Sequence, residues 1–182
     1  MMHEKRFNRE IERLRDPKRV ARLEVQRVVR LALEGLPEAN TVLDIGAGSG
    51  LFAEQFAARG LAVSGIDANP DMVEAAQGFV PTGAFKQAEA ENLPFEDAAF
   101  DLAFMGLVLH EADDALAALR EAFRVTTLRL AVLEWPDEEQ SFGPPRSDRL
   151  SAAHISALAA QAGFKSVQAF RLLNLVLYHL EH

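Results

Sequence analysis

The chain has 182 residues, of which 49% are hydrophobic and 25% charged, so we expect one globular domain with at most a small extension. It contains no cysteine, which excludes disulfides, thiolate metal sites and a cysteine nucleophile. The net charge is −8, although residues 1–35 carry ten Lys and Arg against six Asp and Glu. The acidic remainder argues against nucleic-acid binding.

The apolar runs of the chain and its two ends lead to three expectations about location and processing. No apolar stretch approaches the roughly 20 residues of a membrane helix, so we expect no membrane insertion. The charged N-terminus lacks the apolar core of a signal peptide, which favours a cytoplasmic protein. The final residues, 181–182, resemble the start of a histidine tag and are set aside as a tag remnant.

The first predicted element is a helix that leads into the first strand. Asp16 and Pro17 are typical of an N-cap and a first helical position, and Gly35 is expected to end the helix. Residues 1–36 therefore form a predicted N-terminal helical segment, a candidate cover for an active site, before a main domain at 37–180. The basic charge of this segment is explained more simply by a solvated helix face than by an anionic substrate.

After this helix, strands and helices alternate along the chain. The predicted strands are TVLDI, LAVSGID, AFKQAEA, FDLAFMGLVL and LRLAVLEW, separated by helices, and KSVQAFRLLN and LVLYHL close the chain without a helix between them. Strands separated by helices indicate parallel pairing with helices on both faces, and the final pair indicates an antiparallel strand. The pattern predicts a Rossmann-like, doubly wound α/β fold with a mostly parallel sheet.

A glycine-rich loop follows the first strand and is the strongest sign of a ligand site. Gly46, Gly48 and Gly50 lie just past the carboxyl end of a predicted parallel strand, where such folds bind ligands. Glycine lets the backbone, here including Ala47, turn and approach a ligand closely. A dinucleotide loop needs its third glycine at position 51, where this chain has Leu51, so the spacing departs from that pattern.

Asp44, two residues before the first glycine, indicates which ligand the loop holds. A carboxylate at this position repels a pyrophosphate but attracts an ammonium or sulfonium group. S-adenosylmethionine carries both cations, together with a carboxylate that backbone N–H groups can receive. The loop therefore favours the methionine half of that cofactor. A glycine turn over an acid that only caps nearby N–H groups is the structural alternative.

Two further acids are placed to bind the adenosine half of the same cofactor. Asp67 ends the second strand, where it can accept hydrogen bonds from both ribose hydroxyls, unless it only caps the following turn. Ala68 and Met72 are placed to flank the adenine ring. Glu89 can accept from the adenine amino group, and the backbone N–H of Ala90 can reach a ring nitrogen.

Three motifs, VLDIGAGSG, GIDANPDMVEAA and AEAENLPFEDAAFDLAF, occur in order within residues 40–125. The chain thereby resembles the class I S-adenosylmethionine-dependent methyltransferases, and within them the ubiquinone/menaquinone-biosynthesis (type 11) group. The resemblance implies a seven-stranded sheet with one antiparallel strand and places Met105 near the methyl group. The chain departs from the family in lacking a proline-glycine-glycine turn before the fifth strand, and its segment after that strand is short. This leaves room for a small acceptor.

Four residues after the fourth and fifth strands are the candidates for the acceptor side. His110 titrates near neutral pH and is the candidate general base, with packing or substrate positioning as the alternatives. Glu111, Glu134 and Trp135 are candidates for the wall of the acceptor pocket, with a position in the core as the alternative for Trp135. Asp101 is expected to be structural. The scattered histidines form no convincing metal set.

The sequence thus predicts methyl transfer from S-adenosylmethionine to a small-molecule acceptor. An NAD(P)-dependent reductase is the alternative from another class, although Asp44 and Leu51 argue against it. A non-catalytic protein that binds S-adenosylmethionine is the third possibility. The identity of the acceptor, the accepting atom and the oligomeric state are left open by the sequence.

Overall fold

The computed structural model describes residues 11–182, and its central feature is a seven-stranded sheet. The strands are β1 (Thr41–Ile45), β2 (Ala62–Asp67), β3 (Ala84–Gln87), β4 (Phe100–Gly106), β5 (Thr126–Glu134), β6 (Ser166–Arg171) and β7 (Val176–Glu181). Their order is β3-β2-β1-β4-β5-β7-β6, and β7 runs antiparallel to both of its neighbours. The predicted mostly parallel, doubly wound fold with one antiparallel strand is confirmed.

Helices cover both faces of this sheet. They are α1 (Ile11–Leu14), α2 (Pro17–Leu23), α3 (Val25–Ala32), α4 (Leu51–Ala57), α5 (Pro70–Phe79), α6 (Ala115–Val125) and α7 (Ala152–Ala162). One apolar cluster joins α3 and α4 to one face, and a second joins α6 and α7 to the other. Among residues 11–182, no helix combines the length and the apolar character needed to cross a membrane.

The N-terminal helix is divided, where the sequence predicts one continuous helix up to Gly35. Asp16 caps α2 as expected, accepting from the N–H groups of Lys18 and Arg19. The helix breaks at Glu24, whose backbone is left-handed (φ 49°) and whose carboxylate accepts from the N–H of Leu173 at 2.8 Å. This partner lies in the turn between β6 and β7, so local helical periodicity carries no signal of the break.

The fourth strand is shorter than its apolar run suggests. β4 ends at Gly106, and Leu107 adopts a left-handed backbone (φ 64°) while its N–H donates to the carbonyl of Leu133 in β5. The chain therefore turns sharply, and a short 3-10 helix (Leu109–Glu111) follows. This turn carries His110 to the carboxyl edge of the sheet.

Hydrogen bonds to Asp101 stabilise the opposite edge of the sheet. One oxygen of Asp101 accepts from the backbone N–H groups of Asn40 and Thr41 and from the Thr41 hydroxyl. The pKa of Asp101 is lowered, first of all by the bond from Asn40. Asp101 is thus structural, as the sequence predicts. At the chain end, Glu181 belongs to β7 and bonds Arg129 at 2.7 Å, and the ring of His182 stacks on Phe123.

Candidate functional site

The glycine loop is held close to the carboxyl end of β2 by backbone hydrogen bonds. The N–H groups of Gly46 and Ala47 both donate to the carbonyl of Ile66, each at 2.9 Å. Gly46 has a left-handed backbone (φ 72°), and a Cβ there would collide with the side chain of Val108. Gly50 is likewise left-handed and faces the α5 backbone at Ala76. The loop has room only for glycine at these two positions.

Asp44 lies beneath this loop, almost fully buried at 2% exposure. Its Oδ2 has no hydrogen-bond partner among the residues that the structure describes. Burial raises the pKa of Asp44 to about 7, with a smaller contribution from the charge of Asp67, while the Ala53 backbone N–H acts in the opposite direction. A buried carboxyl with an unpartnered oxygen favours a cationic neighbour, because charge complementarity offsets desolvation.

Asp67 connects the loop to the second strand. Its Oδ2 accepts from the N–H of Gly48 at 2.8 Å, and its Oδ1 accepts from the N–H of Asn69 at 2.9 Å. The capping role that the sequence offers as the alternative is therefore present. Each carboxylate oxygen can accept a second hydrogen bond. The ribose role and the capping role are thus compatible.

Four of the backbone donors of the loop bond to the protein, and the predicted role of the loop's N–H groups in receiving the cofactor's carboxylate stays a prediction. The N–H groups of Gly46, Ala47, Gly48 and Gly50 all donate to other groups of the chain. The hydroxyl of Ser49, by contrast, is buried and has no partner in the described part of the chain. It borders the adjacent cavity, and no sequence pattern predicts a role for it.

A cavity of about 830 Å³ runs along the carboxyl ends of β1, β2 and β4. Its wall brings together most of the predicted site residues: Gly46, Ala47, Gly48, Asp67, Ala68, Met72, Glu89, Ala90, His110, Glu111 and Trp135. Asp44 and Gly50 lie behind the wall. Met105, predicted near the methyl group, is fully buried in the core, and the next residue, Gly106, borders the cavity instead.

His110 and Glu134 form a buried pair at one end of the cavity. Nδ1 of His110 lies 2.8 Å from Oε2 of Glu134, and the His110 backbone N–H donates to Oε1 at 3.1 Å. Glu134 is fully buried, so it supports His110 from behind and does not line the cavity as predicted. Burial lowers the pKa of His110, but the bond and charge of Glu134 outweigh it and raise the pKa overall.

The loop after β5 closes this end of the cavity through Gly143, Pro144, Pro145 and Asp148. The side chain of Arg149 holds this loop together through hydrogen bonds. The guanidinium donates to the carbonyls of Pro136, Glu138, Phe142 and Pro144 and to Oε1 of Gln140, at 2.7–3.1 Å. The sequence alone predicts no role for Arg149, because no local pattern marks an arginine that binds carbonyls.

The described part of the N-terminal segment forms another side of the cavity. Arg13, Leu14, Arg19, Arg22 and Leu23 belong to its wall. That the segment covers an active site stays a prediction, and residues 1–10 lie outside the described part of the chain. His154 is exposed on α7, away from the cavity wall. No cluster of metal-binding side chains occurs within residues 11–182.

Comparison with known proteins agrees with this geometry. Residues 43–128 match the family model of a methyltransferase domain. The chain is 34% identical over 90 residues to malonyl-[acyl-carrier protein] O-methyltransferase from Erwinia billingiae, and 35% identical over 113 residues to demethylmenaquinone methyltransferase from Thermotoga maritima. These matches cover 50% and 60% of this chain but only 36% and 48% of the relatives, so the chain spans half of their length or less.

A solved structure matches nearly the whole chain. The crystal structure of a SAM-dependent methyltransferase from Aquifex aeolicus superposes with a TM-score of 0.77 at 26% identity, covering 94% of this chain and 97% of that one. Fold, motif order and domain match agree. The chain belongs to the class I S-adenosylmethionine-dependent methyltransferases.

Proposed function

We propose that the protein transfers the methyl group of S-adenosylmethionine to a small-molecule acceptor. The observation that carries this proposal is the continuity of one cavity. It borders the glycine loop over Asp44, then Asp67 and Glu89, and ends at His110 and Trp135. One end thus suits a cationic amino-acid group and the middle an adenosine. The other end leaves space for a second reactant.

The residues at the loop fit the cofactor through complementary charge. Asp44 and Ser49 each offer a buried oxygen without a partner in the described residues, close to one another in the chain. In the proposal, Asp44 binds the ammonium group and the Ser49 hydroxyl donates to the carboxylate. Asp67 accepts from the ribose hydroxyls, and Glu89 accepts from the adenine amino group beside Ala90. When bound, the cofactor supplies an electrophilic methyl group on a sulfonium.

The size of the site supports a small acceptor. Ligand cavities for small molecules measure roughly 300–1,000 Å³, and this cavity of about 830 Å³ must hold the cofactor as well. The N-terminal helices and the loop after β5 border the remaining space. The named relatives act on demethylmenaquinone and on malonyl-[acyl-carrier protein], so relatives at this distance do not specify one acceptor.

Ligand-dependent thermal stability distinguishes this proposal from its alternatives. S-adenosylhomocysteine should raise the Tm of the wild-type protein, and NADH should not. The Asp44→Asn variant should lose most of the shift, while Asp71→Asn, at an exposed acid on α5, should retain it. Stabilisation by NADH alone would contradict the proposal. Tight binding without methylation of any acceptor in a broad panel would favour a non-catalytic binding protein.

A further inference from the structure

The buried pair of His110 and Glu134 points to a specific class of acceptor. We propose that Nε2 of His110 removes the proton from an uncharged hydroxyl acceptor, such as a phenol, while Glu134 acts as the positioning residue that fixes the ring. The methyl group is then attached to that oxygen. This inference rests on the proposed methyl-transfer function.

The contacts of Glu134 determine which nitrogen of His110 carries hydrogen. Its Oε2 lies 2.8 Å from Nδ1 of His110, and an ionised carboxylate can only accept hydrogen bonds. Nδ1 must therefore be protonated, and in the neutral ring the free lone pair belongs to Nε2. The bond from the His110 backbone N–H to Oε1 fixes the position of the whole residue as well. One carboxylate thus sets both the place and the tautomer of the base.

The remaining ring nitrogen, Nε2, is the one that Glu134 leaves without a hydrogen bond. His110 borders the cavity, and its Nε2 lies 3.7 Å from Oε1 of Glu111, beyond hydrogen-bond distance. The side chain of His110 is only 6% exposed, so bulk water competes little for this lone pair. An acceptor in the space beside Trp135 can approach it. The arrangement has the form of a base oriented by a buried acid.

The charges around His110 favour a neutral acceptor. Glu134 from β5, Glu111 from the 3-10 helix and Asp148 from the loop after β5 all act on its ring and favour the imidazolium form. Burial, and then the charge of Glu134, also raises the pKa of Tyr178 in β7. These acids disfavour an acceptor that is already anionic, such as a carboxylate, directly beside His110. Arg13, Arg19 and Arg22 line the cavity from the N-terminal segment, and none of them is among the charges that shift the pKa of His110. An uncharged amine needs no base before it attacks, whereas a hydroxyl becomes strongly nucleophilic when its proton is removed.

The proposed step balances without any further reactant. The hydroxyl proton passes to Nε2 of His110, and the acceptor oxygen forms a bond to the methyl carbon. The carbon–sulfur bond breaks, and its electron pair stays on sulfur, so a sulfonium becomes a neutral thioether. The positive charge thus moves to the imidazolium, where Glu134 stabilises it, and the proton is later released to solvent.

Replacement of Glu134 by glutamine separates this role from a purely structural one. With its carbonyl oxygen turned toward the His110 backbone N–H, the glutamine retains that hydrogen bond, while the bond that Oε2 accepts from the Trp135 N–H is lost. Its amide NH₂ then faces Nδ1 and can only donate. Nδ1 becomes the acceptor, and the proton moves to Nε2, which can no longer serve as a base. Glu139→Gln, at an exposed acid in the loop after β5, is the matched control.

Nitrogen-15 NMR of histidine-labelled protein tests the tautomer without any acceptor. In the wild type we expect neutral His110 to carry its proton on Nδ1, with a pKa raised above the ordinary value of a histidine. The Glu134→Gln variant should move the proton to Nε2 and lower the pKa of His110, and Glu139→Gln should change neither. A wild-type ring protonated on Nε2, or one that is unchanged in Glu134→Gln, would overturn the positioning role.

Activity with paired acceptors tests the chemistry. Phenol, catechol and 2-naphthol should be methylated at oxygen, and the matched anilines should react at least tenfold more slowly. His110→Asn and Glu134→Gln should reduce kcat by about 10²-fold or more, with the KM for S-adenosylmethionine within threefold of wild type. The rise of kcat with pH, set by loss of the His110 proton, should disappear in both variants. Exposed His154→Asn should leave all of these values unchanged.

The outcomes distinguish failure of this inference from failure of the proposed function. Binding of S-adenosylhomocysteine without methylation of any phenol, or with equal rates for phenols and anilines, overturns the hydroxyl assignment alone. An unchanged pH profile in Glu134→Gln overturns its positioning role. Absence of S-adenosylhomocysteine binding by the wild type removes the proposed function and this inference together.

Discussion

Arg15 donates from Nη2 to the carbonyl oxygen of Ser49 at 3.1 Å, which joins the N-terminal helices to the glycine loop. Its Nη1 bonds Oε2 of Glu54 in α4 at 2.9 Å, and its guanidinium lies 3.4 Å from the ring centroid of Phe79 in α5. A single side chain therefore contacts three elements around the cofactor end of the cavity. The glycine loop is thus in contact with a residue outside the matched methyltransferase domain.

Replacement of Arg15 by alanine should weaken cofactor binding. Hydrogen bonds of a charged group contribute about 1.5–3 kcal/mol, but Glu54 is partly exposed, so we expect roughly a tenfold rise in the Kd for S-adenosylhomocysteine. Isothermal titration calorimetry measures this directly. Arg30→Ala, an exposed arginine on α3, is the control and should bind as the wild type does. Equal Kd values for the two variants would show that the loop holds its position without Arg15.

The raised pKa of Asp44 makes cofactor binding depend on pH. With a pKa of about 7 in the free protein, Asp44 is largely neutral at pH 5.5 and largely ionised at pH 8. The ammonium group of S-adenosylhomocysteine interacts favourably only with the ionised form, so its affinity should increase as pH rises through 7. The increase should be absent in Asp44→Asn. An identical pH dependence in both proteins would assign the effect to another group.

The same pKa predicts that Asp44 destabilises the ligand-free protein at high pH. Burial raises the pKa of this carboxyl from its ordinary value of 3.8 to about 7, so the native state holds a proton that the unfolded chain has lost. The stabilisation from this proton is complete below about pH 4 and is lost as pH rises through 7. Asp44→Asn should therefore have a higher Tm than the wild type at pH 8 and a similar Tm at pH 4, measured by calorimetry without ligand.

Arg149 should affect the acceptor and leave the cofactor site intact. Lysine at this position keeps the charge but cannot reproduce a planar group that donates to five oxygens. We expect Arg149→Lys to lower the Tm by several degrees and to raise the KM for the acceptor. The Kd for S-adenosylhomocysteine should change less than threefold. Arg146→Lys is the matched control, because Arg146 is exposed in the same loop and pairs with Asp137. Equal KM values for the two variants would contradict the assigned role of Arg149.

The lowered pKa of His179 predicts that the folded protein loses stability in mild acid. Burial, and then the charge of Arg129, lowers its pKa from 6.5 to about 4, and its Nε2 has no partner in the described residues. Between pH 4 and pH 6.5, His179 therefore carries a proton in the unfolded chain and none in the native state. Stability should therefore fall as pH decreases from about 6.5 to 4. Urea titrations at pH 4.5 and 7.5 should show a smaller difference for His179→Gln than for the wild type or His154→Gln.

The cofactor half of the site could be predicted because its signals are local. Glycine spacing, an acid two residues before it and an acid at the end of β2 are all readable over a few residues. The placement of Met105 near the methyl group stays a prediction, and the strand geometry matters for it because successive strand residues point to opposite faces. Neighbouring positions of β4 therefore have different surroundings: Met105 lies in the core, and Gly106 borders the cavity.

The acceptor half could be predicted only in part, because its contacts join distant segments. His110 was identified from its position after β4, but the role of Glu134 as its buried partner depends on two adjacent parallel strands that end side by side. The break at Glu24 depends on Leu173, and Arg149 depends on the path of a whole loop. Such contacts follow from the assembled fold and have no short sequence pattern.

The collision between a Cβ at Gly46 and the side chain of Val108 has a consequence for protein engineering. The first residue of the cofactor loop and the turn before His110 occupy complementary volumes, so neither can be exchanged alone without a clash or a void. We expect a chimera that takes the segment around Val108 from a relative to be more stable when it also takes the relative's glycine loop. Acceptor preference is therefore best transferred between such enzymes as two co-inherited segments.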